Sequence, residues 1–206
     1  MNKDWIPGKI LAISPHADDI ELGAGGAIHK WTSDGATAYM FVFSTLEQME
    51  IRRDEAIEAA KILGIEKENV TILDYPNRRF DEFRQGILQN LVDLEKEIKP
   101  DLVLVPCRTD RHQDHEVVTA EAIRAFKKTT ILGYEAPWNM TESSLPVTVL
   151  LSAANIRAKE SAVVAHKTQQ HRPYTNKKFI WSLAEVRGLV AGGKYGESME
   201  AIRWIL

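Results

Sequence analysis

Lys9-Ile10-Leu11-Ala12-Ile13-Ser14-Pro15-His16-Ala17-Asp18-Asp19 is an apolar run of strand length that breaks directly into imidazole and carboxylate groups. The same unit returns further on, where Leu102-Val103-Leu104-Val105 leads through Cys107 into Asp110-Arg111-His112-Gln113-Asp114-His115. Lys9 to Ser14 and Asp101 to Cys107 read as strands, each followed by a polar loop and then a helix. Outward from them the alternation continues. Gly25 to Ser33 reads as a helix, Thr37 to Ser44 as a strand, and Glu47 to Leu63 as a helix closed by Gly64. Val70 to Tyr75 is a third strand. Phe80, Phe83, Ile87, Leu91, Leu94 and Ile98 then recur at three- and four-residue intervals, one apolar helical stripe ending before Pro100.

After a loop from Arg108 to about Gln113 the pattern predicts a helix to Lys128, strands at Thr130–Glu135 and Val147–Leu151, and helices at Ala154–Gln169 and Lys177–Val190. The segment Gly192-Gly193-Lys194-Tyr195-Gly196 reads as a hinge before a short amphipathic end. Strands alternating with helices specify a Rossmann-like three-layer α/β/α fold with a mostly parallel sheet. No linker, repeat or low-complexity tract interrupts it, so residues 1–206 are expected to form a single domain.

Composition narrows the function classes. The 206 residues carry 26 Lys+Arg against 29 Asp+Glu, a net charge of −3 with the signs interspersed, which leaves no basic stripe for nucleic acid. A chain of this length buries roughly 70% of its unfolded surface, so a bound metal is expected to serve chemistry rather than folding. The single cysteine, Cys107, excludes an internal disulfide and a Cys-rich zinc cluster. No apolar run approaches the roughly 20 residues of a membrane helix, and no signal-like segment opens the chain. A cytoplasmic protein without a membrane span is expected.

In an open parallel sheet, ligands bind beyond the carboxyl ends of the strands, near the switch in strand order. Both polar clusters fall at that edge. Together they offer three histidines and up to four aspartates in two short loops, enough for a mixed imidazole–carboxylate site with a position open to water. Asp and His after a strand also serve as turn and cap residues, and Asp114 is a candidate N-cap. Two such clusters at one edge exceed what folding requires. The glycines of Gly23-Ala24-Gly25-Gly26 do not match a dinucleotide fingerprint, and close backbone approach near a metal site or a tight helix entry accounts for them.

Pro15-His16-Ala17-Asp18-Asp19 with Glu21-Leu22-Gly23-Ala24-Gly25-Gly26, taken together with His112-Gln113-Asp114-His115, resembles the LmbE/PIG-L family of metal-dependent N-acetylglucosaminyl deacetylases. Arg52 and Glu55 look like the family's Arg-x-x-Glu helix, and Lys159, His166 and Gln169 like its late Lys/His-x-x-Gln helix. The resemblance implies that His16, Asp19 and His115 are metal ligands for one divalent ion, Zn(II) first and Fe(II) second. It implies Asp18 as general base, His112 as the group facing the oxyanion and Asp114 behind a neighbouring imidazole. Arg52 reads either as a group on a substrate anion or product acetate or as a surface pair with Glu55. It also implies homo-oligomers, with Trp181 and Trp204 as candidate contacts. This chain departs from the family pattern at Ala17, where proline is common, at Ile20, where an acidic residue is frequent, and at Thr45-Leu46-Glu47, which lacks a glycine.

These residue types suit amide hydrolysis, which needs an activated water, a Lewis acid for the carbonyl and a proton for the leaving amine. The local dipole at a helix start is expected to keep His115 neutral and ligating. Tyr134, Trp138 and Tyr174 are candidates either for stacking on a sugar or for core packing. The expected reaction is removal of acetate from an N-acetylated amino-sugar conjugate of the GlcNAc type. The alternatives are a non-catalytic sugar- or nucleotide-binding domain and an amidase acting on a non-sugar amide.

Overall fold

Side chains along β1 (Lys9–His16) alternate between two apolar layers, as a strand with both faces covered requires. Ile10 and Ala12 join the layer formed with α1 (Asp19–Ser33), α2 (Met49–Ile62) and α5 (Ala153–Ala165). Leu11 and Ile13 join the layer formed with α3 (Arg84–Ile98) and α4 (Gln113–Ala125). The remaining strands are β2 (Thr37–Ser44), β3 (Val70–Ile72), β4 (Leu102–Pro106), β5 (Thr130–Tyr134), β6 (Val147–Leu151) and β7 (Tyr195–Arg203), and α6 (Lys177–Val190) packs beside β7. The structure, a computed structural model, describes residues 5–45 and 49–205. Glu47 lies outside the described residues.

Among the described residues the strands form one sheet in the order β3-β2-β1-β4-β5-β7-β6. β1 to β5 are parallel, and β7 runs antiparallel to both its neighbours. The chain builds outward from β1 through β2 to β3, then returns to place β4 on the other side of β1. The loops leaving β1 and β4 therefore part in opposite directions, which opens a crevice at their carboxyl ends. The mostly parallel, helix-flanked sheet expected from the sequence is the one observed.

Two elements differ from expectation. Helix α1 begins at Asp19, not Gly25, so the glycines lie inside it and serve packing rather than a loop near the site. A Cβ at Gly23 would lie 2.2 Å from Tyr134 Cδ2, and one at Gly26 would lie 2.6 Å from Leu151 Cδ1. The second difference is β7, where a hinge and an amphipathic end were expected. Its buried Glu197 and Glu200 look solvated in sequence, but both are paired: Glu197 with Lys159 at 2.6 Å and Glu200 with Arg108 at 2.6 Å. Glu197 also accepts the Gly26 and Ala27 N–H groups of α1 at 3.0 and 2.7 Å.

Tyr134 cannot yield to a Cβ at position 23, because its ring is fully buried and its hydroxyl donates to Ile13 O at 3.1 Å. Replacing a mid-helix glycine by alanine normally gains about 1 kcal/mol in helix propensity, whereas overpacking a core costs about 1–3 kcal/mol. We expect Gly23→Ala to melt several degrees below the parent. Gly25→Ala, whose Cβ would meet Lys159 Cγ at an ordinary 3.4 Å, should match or exceed the parent. Thermal unfolding of the pair checks the expectation, and equal melting temperatures would refute it.

Candidate metal centre

The chain turns from β1 into α1 within two residues. Ser14 Oγ holds the turn by donating to His16 O at 2.6 Å and accepting Ile20 N–H at 3.2 Å. Asp18 sits at the helix N-cap with φ of 107°, a conformation that costs a residue with a Cβ on the order of 1–3 kcal/mol. Arg52 of α2 holds this turn from behind, donating to Ala17 O and to Asp18 Oδ1, the latter at 3.3 Å. The guanidinium expected on a substrate anion is thus buried behind the general-base candidate and does not line the cavity.

At the neighbouring strand end His112, not Asp114, is the N-cap of α4; its Nδ1 accepts the Asp114 N–H at 3.2 Å. Asp110 Oδ1 in turn accepts the His112 N–H at 2.9 Å. His115 lies in the first turn of α4 and faces His16 across the crevice. His16 Nδ1, Asp19 Oδ2 and His115 Nε2 form a triangle with edges of 3.2, 3.1 and 3.3 Å. Tetrahedral coordination with bonds near 2.1 Å separates its donors by about 3.4 Å, so the three atoms already hold the spacing a small divalent ion requires.

The outward nitrogens of both imidazoles are fixed by buried carboxylates. His16 Nε2 pairs with Asp114 Oδ2 at 2.9 Å and His115 Nδ1 with Asp110 Oδ2 at 2.7 Å. Donation of those N–H groups turns the opposite lone pairs into the triangle. His112 lies close by, its ring within ligand distance of the other two. With Nδ1 accepting a backbone N–H, a neutral His112 ring carries its proton on Nε2 and acts as a donor rather than a ligand.

Burial and the Asp19 charge push Asp18 up to about 7, with His166 and Arg52 pulling the other way. Burial and the neighbouring His115 and His16 push His112 down to about 4, so it is neutral at ordinary pH. For His115 burial favours the neutral ring, but Asp19 and Asp110 outweigh it and raise the group to about 10. The two carboxylates in contact with His115 thus act against the helix dipole expected to favour its neutral form. Asp19 is held well below the usual carboxylate range against its own burial by His115 and His16.

His16, Asp18, Asp19, His112 and His115 line a cavity of about 230 Å³, with Asn77, Arg78, Trp138, Asn139, Gln169, Arg172 and Tyr174 as its outer wall. Asp114 stands behind His16, fully buried. Trp138 and Tyr174 stack on each other at 3.9 Å with an interplanar angle of 10° and form part of the rim, while Tyr134 is core. Cys107 is buried. His166, expected in the late helix, follows α5 and pairs with Glu21 at 2.9 Å, both fully buried. Asp110, counted in the second cluster, had been assigned no role of its own. Its place five residues before His115 in the same loop was the available signal.

The chain is similar to several known proteins. The family model described as PIG-L, GlcNAc-PI de-N-acetylase, matches residues 11–126. The uncharacterized deacetylase YaiS of Escherichia coli K12 is 33% identical over 139 residues, 62% of this chain and 74% of YaiS. The diacetylchitobiose deacetylase of Thermococcus kodakarensis is 27% identical over 122 residues, 52% of this chain and 45% of that enzyme. Among solved structures GalB, the 4-carboxy-2-hydroxymuconate hydratase of Pseudomonas putida KT2440, is similar with a TM-score of 0.78 at 21% identity, covering 96% of this chain and 97% of GalB. With the family model covering more than half of its length, the chain belongs to the PIG-L (LmbE-like) de-N-acetylase family.

Proposed function

We propose that the chain hydrolyses the acetamide of an N-acetylated amino-sugar conjugate, using one divalent ion, Zn(II) in the first instance, held by His16, Asp19 and His115. The observation that carries this reading is the triangle of donors at 3.1–3.3 Å with a further carboxylate, Asp18, beside it and outside it. Two neutral imidazoles and one carboxylate suit Zn(II) or Fe(II). When bound, the ion supplies Lewis acidity toward the acetyl carbonyl and toward water.

The protein's own groups divide the remaining work. Asp18, raised to about 7, takes the proton of the attacking water and passes it to the departing amine. Arg52, on the far side, holds the strained Asp18 turn in place. His112, neutral and bearing its proton on Nε2, donates to the oxyanion as the carbonyl carbon becomes tetrahedral. Asp114 and Asp110 keep His16 and His115 in the ligating tautomer. GalB shows the same fold under a hydratase name, so the fold does not choose the reaction. A base and a neutral donor flanking one prospective ion favour amide hydrolysis, and the diacetylchitobiose deacetylase relative favours a sugar as the acetamide carrier. The aromatic stack of Trp138 and Tyr174 suits a sugar face. No helix among the described residues is long and apolar enough to cross a membrane.

Two expectations follow. His16→Ala, Asp19→Ala and His115→Ala should each lose metal, read by elemental analysis of the purified protein, while keeping the parent's circular dichroism. His112→Ala should retain metal and lose about 10²–10³ in turnover. Stoichiometric metal in the first three variants, or metal loss in His112→Ala, would overturn the ligand set. Asp18→Asn should keep both metal and fold and lose about 10²–10⁴ in acetate release from N-acetylated glycosides. Unchanged release would exclude Asp18 as the base, and no release from any acetylated sugar by metal-loaded parent would exclude the deacetylase reading.

A further inference from the structure

The outer wall of the cavity carries two arginines that the chemistry above does not use, Arg78 and Arg172. Eight of the twelve arginines place their guanidinium on a carboxylate or a backbone carbonyl, as Arg187 does on Glu135 and Arg84 on Glu121. Arg78 and Arg172 belong to the other four: among the described residues neither guanidinium has a hydrogen bond or ion pair. Both backbones are nonetheless fixed. Arg78 adopts φ of 62°, costly for a residue with a Cβ, and its N–H is held by Asp114 Oδ2 at 2.7 Å. Arg172 is extended at ψ of 136° ahead of Pro173, with its N–H on Gln169 O at 3.0 Å.

The carboxylates around them are already engaged: Asp18 by Arg52, Asp19 by His16 and His115, Asp114 by His16 and the N–H groups of Arg78 and Phe80, and Asp110 by His115 and the N–H of His112. Among the described residues the two guanidiniums are left without an anion. A cation pair of this kind, on fixed backbone at the mouth of a small cavity, attracts an anion and orients it. In a space of about 230 Å³ the anion cannot lie far from the acetamide.

We propose that Arg78 and Arg172 form an anion subsite, and that the substrate is an N-acetylated amino sugar bearing a phosphate or carboxylate on the sugar ring or directly attached to it. This rests on the deacetylase reading above and adds the charge of the substrate to it. The stacked Trp138–Tyr174 pair lines the same cavity and offers a surface to the ring, while the arginines take the charged substituent.

The test compares acetate release from methyl N-acetylglucosaminide, N-acetylglucosamine 1-phosphate, N-acetylglucosamine 6-phosphate and N-acetylmuramic acid, at low and high salt. The charged sugars should exceed the neutral glycoside at least tenfold in kcat/KM, with the advantage shrinking as salt rises, and the phosphate and carboxylate arms identify the anion. Arg78→Gln and Arg172→Gln should each cut the charged-to-neutral ratio several-fold, and Arg78→Lys should restore part of it. Calorimetry on the Asp18→Asn protein supplies a readout independent of turnover, in which the charged sugars should bind at least tenfold more tightly than the neutral one. A neutral glycoside hydrolysed as well as the charged ones overturns the subsite while leaving the deacetylase standing. Absence of acetate release with charged-selective binding retained rejects the deacetylase and keeps the subsite. Arginine variants that change only inhibition by free acetate would assign the pair to the product instead.

Discussion

Asp114 sits where the two halves of the sheet meet, and its single carboxylate serves three partners from two other parts of the chain. It accepts from His16 Nε2 at the end of β1, from the N–H of Arg78 at 2.7 Å and from the N–H of Phe80 at 3.3 Å. Burial alone would favour the protonated acid, yet His16 and the two backbone donors hold the group below its ordinary range. Removing it would leave three donors without this acceptor, two of them buried at about 1–3 kcal/mol each. The tautomer of His16, the path of the loop carrying Arg78 and the entry of α4 into the crevice all depend on that one anion.

Around it the site spends stability on geometry. Asp18 occupies a backbone region that suits glycine, but glycine would remove the carboxylate the position exists to present. Arg52, Ser14 and Ile20 together hold the turn against that strain, and among the described residues Arg52 Nε has no partner. Glu21 and His166 form a second buried pair beneath the same turn, with Glu21 Oε2 and His166 Nδ1 also unpartnered among the described residues. Unpaired buried atoms clustered under one short turn are the pattern of a scaffold under functional constraint.

Much of this was legible because the site is written in short, contiguous stretches. His16, Asp18 and Asp19 follow one apolar strand and His112 to His115 another, and parallel-sheet topology brings the two carboxyl ends together without further information. What sequence could not show is pairing at a distance. Glu197 and Glu200 read as solvent-facing until Lys159 and Arg108, 38 and 92 positions away, neutralise them, and so a buried strand passed for an amphipathic tail. Arg52 was visible as a charge but not as a buried one, since its partners come from a turn 35 residues earlier. The start of α1 was misplaced because glycines weigh against a helix, and only the ring of Tyr134 on the next element explains why position 23 must be bare.

The placement of β7 between β5 and β6 bears on how the chain reaches this state. Each strand after β1 can pair with one already made except β6, which pairs among the described residues with β7 alone and leaves the ribosome before it. Until residues 195–203 have been synthesised, β5 and β6 each present an open edge of the kind that recruits foreign strands. The same late strand carries Glu197, whose carboxylate neutralises Lys159 and grips the N–H groups of Gly26 and Ala27. The helix that begins at the metal-site aspartate is therefore fastened, at its middle, by one of the later parts of the chain to emerge, so that assembly of the crevice waits on a segment that contributes no residue to it.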